Sequence, residues 1–235
     1  MISLSVVAIQ ATAPVQFLPM VPGGDPVVSV LGLPLHNPAS VVTNLMLAAQ
    51  SVIAARILAR RAVPGWPVFF VGMALATGLG AFKHGLPWIE PEWVYQTLTG
   101  GSNVAVVVAV VGAQRAVLPG AWWLSLLFGS VLVGANSATR DFGATAAILA
   151  AGVVPVVGAS VFFLLRSARR SRTRRTRECA WLCAGWGAFS LAGVVWVTRA
   201  GFSPWFDHTD VAHLVVMAAL LLIFRSGLAR EVAWS

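Results

Sequence analysis

The sequence predicts an all-α fold, a seven-helix transmembrane bundle with its N-terminus outside and its C-terminus in the cytoplasm. Three observations predict it. Of 235 residues, 58% are hydrophobic and only 10% are charged, with a mean hydropathy of +0.82, which is outside the range of soluble domains. Apolar stretches such as Val104–Val111 and Leu214–Phe224 are long and unbroken, whereas the strands of a membrane barrel alternate. Positive charge is concentrated in alternate loops.

The seven predicted spans are each about 20 residues long and are bounded by charge, proline or glycine. They cover residues 40–60, 66–86, 93–117, 120–138, 143–165, 179–199 and 209–226. Residues 1–38 carry six prolines and a Gly-Gly-Asp-Pro turn, which suits an extended or looped segment better than an eighth span. We therefore predict two regions, a Pro-rich extracytoplasmic segment at 1–38 and a transmembrane domain at 39–235.

The loop at residues 166–177 determines the predicted orientation, because it holds seven arginines between spans five and six. Cytoplasmic loops carry the excess of positive charge, so this loop is placed inside. Alternation then puts thirteen of the sixteen Lys and Arg residues inside and six of the eight acids outside. The preference for arginine over lysine and the richness in Ala, Val and Gly indicate a GC-rich bacterial source. We therefore expect a multi-pass protein of the plasma (inner) membrane.

The formal net charge of +8 comes largely from the same arginine loop, which is a short connection without interleaved aromatic residues. That pattern argues against nucleic acid as a partner. It favours contact with the anionic headgroups of membrane lipids.

All four histidines fall at the predicted outer face. His36 precedes span one, His84 ends span two, and His208 and His213 begin span seven. Imidazole can bind a metal or transfer a proton near neutral pH, so this one-sided group suggests a site.

Helical spacing separates the candidates. His84 ends a stripe that includes Gly80 and Ala81, where a pocket could open. Asp210 precedes His213 by three residues and can share its face, whereas His208 is five residues before, about 140° round the helix. A structural role is the alternative, with Asp207 or Thr209 as the N-cap of span seven and Asp210 complementing the helix dipole.

Two motifs carry a family resemblance. They are Gly78-Leu79-Gly80-Ala81-Phe82-Lys83-His84-Gly85 in span two and His208-Thr209-Asp210-Val211-Ala212-His213-Leu214 in span seven. They resemble the motifs of the CREST superfamily, which includes the alkaline ceramidases and the progestin and adipoQ receptors. Within that group, the chain resembles the small bacterial members more closely than the ceramidases or the receptors. The resemblance implies an N-out seven-helix bundle with a zinc ion held by three histidines, near a serine and an aspartate. It also implies hydrolysis of a lipid amide or ester near the outer leaflet.

The chain departs from these motifs at the expected serine and aspartate. Gly80 stands at the serine position, and the aspartate position in span three falls near Tyr95, with Glu92 the nearest acid. The span-seven histidines are five residues apart rather than four, because Thr209 occupies the position of the first.

The resemblance therefore carries over only His84 and His213 as zinc ligands by position. His208 is the predicted third ligand, with Asp210 as its alternative. Asp210 or Glu92 is then the candidate base for a zinc-bound water, whose pKa the metal lowers toward ~7.

Two functions remain open from the sequence. One is an integral membrane protein with a zinc site at the outer face that hydrolyses a lipid amide or ester. The other is a noncatalytic receptor-like or transporter-like bundle that binds a small ligand or a structural metal.

Overall fold

The structure is a computed structural model, and it describes residues 15–17, 26–31, 33–85, 92–120, 122–136, 142–168 and 174–231. Within these ranges, three short strands precede seven helices. The strands are β1 (Val15–Phe17), β2 (Val27–Val30) and β3 (Leu33–His36). The helices are α1 (Pro38–Arg60), α2 (Trp66–Gly85), α3 (Glu92–Val117), α4 (Trp122–Asn136), α5 (Phe142–Ala168), α6 (Arg174–Thr198) and α7 (His208–Glu231).

Each predicted span coincides with one of these helices, so the prediction of a helical bundle is confirmed. Among the described residues, five helices, α1, α2, α3, α6 and α7, are long and apolar enough to cross a membrane, judged by length and composition. The described part of α4 has 15 residues, fewer than the roughly 20 that a bilayer core requires. The chain is therefore compatible with an integral membrane protein.

The strands form a small antiparallel sheet in the order β1-β2-β3, which the sequence did not predict. Val15 lies opposite Val30, and Val27 lies opposite His36. The prolines of this segment favoured extended backbone, but which extended stretches pair depends on contacts that proline content does not specify. The all-α prediction therefore needs this sheet added to it. Residues 1–14 and 18–25 of the predicted Pro-rich segment lie outside the described residues.

Asn37 joins the sheet to the first helix. Its backbone is left-handed, with φ 43° and ψ 56°, a conformation that asparagine adopts more readily than most residues. The N–H of Asn37 donates to the carbonyl oxygen of Pro26 at 2.9 Å, and Pro38 then begins α1. A Cβ built on Gly85 would lie 3.0 Å from Leu35 Cδ1. The sheet is thus packed against the carboxyl end of α2.

The helices close into a ring in which α1 contacts both α2 and α7. The ring continues from α2 through α3, α5 and α6, with α4 against α3 and α5. Helices α2 and α3 approach closely at Gly72, where a Cβ would lie 2.4 Å from the backbone nitrogen of Ala109. Small residues allow such approach between membrane helices. This closure brings the end of α2 beside the beginning of α7, as the sequence-based site requires.

Buried apolar side chains are concentrated where α1 and α7 end and α2 begins. We call Trp66, Phe69, Phe70 and Trp186 the aromatic core. Trp66 and Phe70 are fully covered, and the ring of Phe69 meets those of Trp66 and Trp186 edge-on at centroid distances of 5.7 and 5.9 Å. This half of the bundle is held by packing, with favourable aromatic geometry.

Candidate functional site

Polar side chains gather at the opposite end, where α1 and α7 begin and α2 ends; we call this the histidine end. Helix α7 starts there with a reciprocal cap. Asp207 Oδ1 accepts from the backbone N–H groups of Thr209 and Asp210, at 2.7 and 3.2 Å. In return, Asp210 Oδ2 accepts from the N–H of Asp207 at 3.0 Å. The arrangement follows the logic of a capping box, and it agrees with the alternative that Asp207 is the N-cap.

Asp210 also holds α7 to α1. The hydroxyl of Ser40 donates to Asp210 Oδ1 at 2.7 Å, and both residues are buried, with 3% and 2% of their surface exposed. Within the described part of the chain, no salt bridge involves Asp210. Hydroxyl and amide donors therefore stabilise this carboxyl group. Burying it without them would be costly.

Thr43 lies one turn after Ser40 and connects the carboxyl group to an imidazole. Its Oγ1 is 2.9 Å from His213 Nδ1, 3.5 Å from Asp210 Oδ1 and 3.2 Å from the carbonyl oxygen of Ser40. Helix α1 thus presents two hydroxyl groups to the first two turns of α7. The contact between Thr43 Oγ1 and Nδ1 positions the His213 imidazole.

His84 completes the group from α2. Its ring centroid is 6.4 Å from that of His213, with an interplanar angle of 77°, and both rings are half-buried. His84 and His213, which the sequence places at the same predicted face, thus lie side by side in the structure. We call Ser40, Thr43, His84, Asp210 and His213 the polar cluster.

The groove predicted beneath His84 is filled by α1. A Cβ built on Gly80 would lie 3.0 Å from Asn44 Oδ1, so the absence of a side chain at Gly80 makes room for this carboxamide. Asn44 Nδ2 donates to the carbonyl oxygen of Ser40 at 2.8 Å. The expected serine position is therefore a contact point between helices.

The other predicted site residues lie apart from these contacts. His208 has its ring beside Trp196, with centroids 6.5 Å apart, and its Nδ1 lies 4.0 Å from Asp207 Oδ2. Glu92 is exposed in the first turn of α3, where its Oε1 accepts from Gln96 Nε2 at 3.2 Å. His36 lies in β3.

Tyr95, at the expected aspartate position, contacts the only lysine of the chain. Lys83 Nζ lies 4.7 Å from the centroid of the Tyr95 ring, a cation–π geometry. This contact joins the end of α2 to the beginning of α3. It supplies no acid to the histidine pair.

A zinc ion needs three or four ligands converging on one point. Among the described residues, no three His, Cys, Asp or Glu side chains are arranged to hold a metal ion. The predicted set of His84, His208 and His213 is not brought together, because His208 lies against Trp196 while His84 and His213 face each other. The described residues therefore do not form the predicted three-ligand site, and zinc binding stays a prediction.

Ser40 and Thr43 were missed from the sequence. They belong to a stripe of buried residues on α1 at positions 40, 43, 44, 47 and 51, which has helical spacing. Within an otherwise apolar helix, the polar members of such a stripe indicate a face turned toward the bundle interior. That signal could have found both residues.

The sequence matches a known protein family over most of its length. Residues 39–232 match a family described as "Family of unknown function (DUF6962)". The chain belongs to this family. No curated protein and no solved structure gives a significant match. Membership in the DUF6962 family covers all seven helices apart from the first residue of α1, but its description assigns no activity.

Proposed function

We propose that this chain is a multi-pass membrane protein that binds the polar headgroup of an amide- or ester-containing lipid at the histidine end, without hydrolysing it. The observation that supports this most directly is the pairing of two half-buried imidazoles above a buried, hydrogen-bonded carboxyl group. Polar groups placed at membrane depth are costly and usually serve a substrate pathway or a binding site. The pair is the part of the cluster that a headgroup can reach.

The proposed orientation places the histidine end at the outer leaflet of a bacterial plasma membrane. It is supported by the thirteen-to-three division of positive residues and by the arginine-rich segment at 166–177. That segment would lie against anionic lipid headgroups on the cytoplasmic side. Reporter fusions test this: a fluorescent protein fused after Ser235 should fluoresce, whereas alkaline phosphatase there should be inactive. The reverse result would invert the proposed topology.

Zinc-dependent hydrolysis of the same lipid class is the second candidate. It is favoured by the contact between His84 and His213, the two residues that the resemblance carries over as ligands. It ranks second because the described residues supply no third ligand beside them, and because Glu92 is an exposed residue of the first turn of α3. Binding without catalysis requires neither feature.

A thermal unfolding experiment in detergent tests the binding proposal. Ceramide and monoacylglycerol serve as amide and ester probes, and a straight-chain alkane serves as the apolar control. We expect at least one lipid probe to raise the melting temperature of the wild-type protein, since a ligand that binds only the folded state stabilises it. The effect should be lost in His84→Gln and His213→Gln and kept in His36→Gln. No stabilisation by either lipid would overturn the proposal.

The same samples separate the two candidates. Release of fatty acid from either lipid, lost in His213→Gln, would establish hydrolysis in place of simple binding. Elemental analysis showing one zinc per chain, lost in His84→Ala and His213→Ala, would restore the metal site. Binding with neither result supports the noncatalytic function.

A further inference from the structure

The hydroxyl group of Thr43 can donate only one hydrogen bond, but several neighbouring groups are positioned to interact with it. The carbonyl oxygen of Ser40 and the carboxylate oxygen Oδ1 of Asp210 can only accept. The third neighbour, His213 Nδ1, is the closest, and a neutral imidazole nitrogen can either donate or accept. The direction of the bond between Thr43 and His213 therefore fixes the tautomer of the imidazole.

Two features favour donation from His213 to Thr43. Thr43 Oγ1 already faces two acceptors, so its hydrogen has a partner without His213, whereas its lone pairs need a donor. The buried carboxyl group of Asp210 contacts the same hydroxyl group as His213 Nδ1, and negative charge near this contact attracts the positive end of an N–H bond. A proton on Nδ1 satisfies both conditions. With the proton on Nε2 instead, the Nδ1 lone pair would point toward Thr43, whose other neighbours are acceptors too.

The other ring nitrogen is directed elsewhere. Within the described part of the chain, His213 Nε2 takes part in no hydrogen bond, and the residue is only half-buried. The His213 ring, to which Nε2 belongs, is a direct neighbour of the His84 ring. With Nδ1 protonated, Nε2 carries a lone pair.

We infer that Thr43 and Asp210 are positioning residues that hold His213 as its Nδ1–H tautomer, so that Nε2 accepts a hydrogen bond from the ligand. The ligand class follows: the headgroup presents an N–H or O–H donor, as a secondary lipid amide does, rather than acceptors alone. The statement about the ligand rests on the proposed binding function. The statement about the tautomer does not.

Nitrogen NMR of histidine tests the tautomer directly. The protein is labelled with ¹⁵N-histidine, purified in detergent, and the signal of His213 is assigned by its loss in His213→Gln. Protonated and unprotonated ring nitrogens have well-separated shifts. We expect Nδ1 to be the protonated nitrogen in the wild-type protein and in Thr43→Ser, which keeps the hydroxyl. In Thr43→Val the population should move to the Nε2–H form.

Thr77→Val is the matched control, because the Thr77 hydroxyl donates to the carbonyl oxygen of Met73 on its own helix. It should leave the His213 signals unchanged. A wild-type protein whose His213 is protonated at Nε2 would overturn the inference without any variant. So would a Thr43→Val protein, folded by circular dichroism, with its tautomer unchanged.

A pair of lipids tests the ligand class. Ceramide should stabilise the wild-type protein, and a ceramide with its amide N-methylated and its hydroxyls O-methylated should not. Equal stabilisation by both would retain the proposed function and contradict the donor requirement. Absence of stabilisation by ceramide and by monoacylglycerol would instead remove the proposed function, leaving the NMR result to decide the tautomer.

Discussion

At the aromatic core, Trp66 and Phe70 are fully buried and meet their neighbours through ring edges and aliphatic surfaces. At the polar cluster, Ser40 and Asp210 are almost as deeply buried but meet through hydrogen bonds. Packing spreads stabilisation over many atoms, each worth little. Hydrogen bonds concentrate it in a few directed contacts. The comparison predicts that substitutions at the aromatic core reduce stability most, and that those at the polar cluster mainly alter ligand binding.

The largest loss of stability is expected from Phe70→Ala in the aromatic core. Truncating a buried aromatic ring costs about 4 kcal/mol, because its packing contacts are lost and a cavity is left. Phe82→Ala is the matched control on the same helix, since Phe82 is 56% exposed. Unfolding by SDS in mixed micelles measures both free energies. Similar values for the two variants would contradict the difference drawn between buried and exposed positions.

A somewhat smaller loss is expected from Gly72→Ala, where α2 and α3 approach. The added Cβ would overlap backbone atoms of α3, so the helices must separate, at a cost of about 3 kcal/mol. Gly78→Ala is the control on α2, because a Cβ there meets nothing within 4 Å. That variant should be neutral or more stable by about 0.5 kcal/mol, since alanine favours helix. The same SDS titration checks the pair, and a stable Gly72→Ala protein would contradict the close approach.

Asp210→Ala should cost about 2 kcal/mol, because it leaves the Ser40 hydroxyl and the Asp207 N–H without their acceptor. Asp210→Asn keeps one acceptor oxygen and should cost less. Both variants are compared with wild type by SDS titration, and ceramide binding is measured alongside. The prediction fails if the alanine and asparagine variants are equally stable.

The smallest effect is expected from Ser40→Ala, at about 0.6 kcal/mol, the average for a hydrogen bond between membrane helices. Ser130→Ala provides the control, since the exposed Ser130 hydroxyl donates only to the carbonyl oxygen of Leu126 on its own helix. It should be neutral within error. A cost for Ser40→Ala above that of Phe70→Ala would reverse the comparison between the two ends.

The helices were predictable because their signal is local. A run of about 20 apolar residues ended by charge, proline or glycine is readable without knowing its neighbours. The sheet was not predictable in the same way, because the pairing of β1 with β2 and β3 depends on contacts across turns. The prolines indicated only that the backbone of this segment is extended.

The titratable residues of the polar cluster could be predicted from the sequence, whereas its hydroxyl residues were missed. His84, Asp210 and His213 stood out because titratable residues are rare in spans. Ser40 and Thr43 did not, because a span hydroxyl commonly bonds its own helix, as Thr77 does to Met73. The direction of His208 could not be read from the sequence, because five residues of separation left it to the first turn of α7, where the ring lies against Trp196.

The two carboxylate oxygens of Asp210 accept hydrogen bonds from different parts of the structure, so one side chain connects them. Oδ2 closes the cap of α7, whereas Oδ1 holds α1 through Ser40. Moving α1 away from α7 would therefore release the side chain that keeps the first turn of α7 wound. His213 lies on the turn that follows. The beginning of α7, the contact between α1 and α7 and the orientation of the His213 imidazole are thus linked through one carboxyl group.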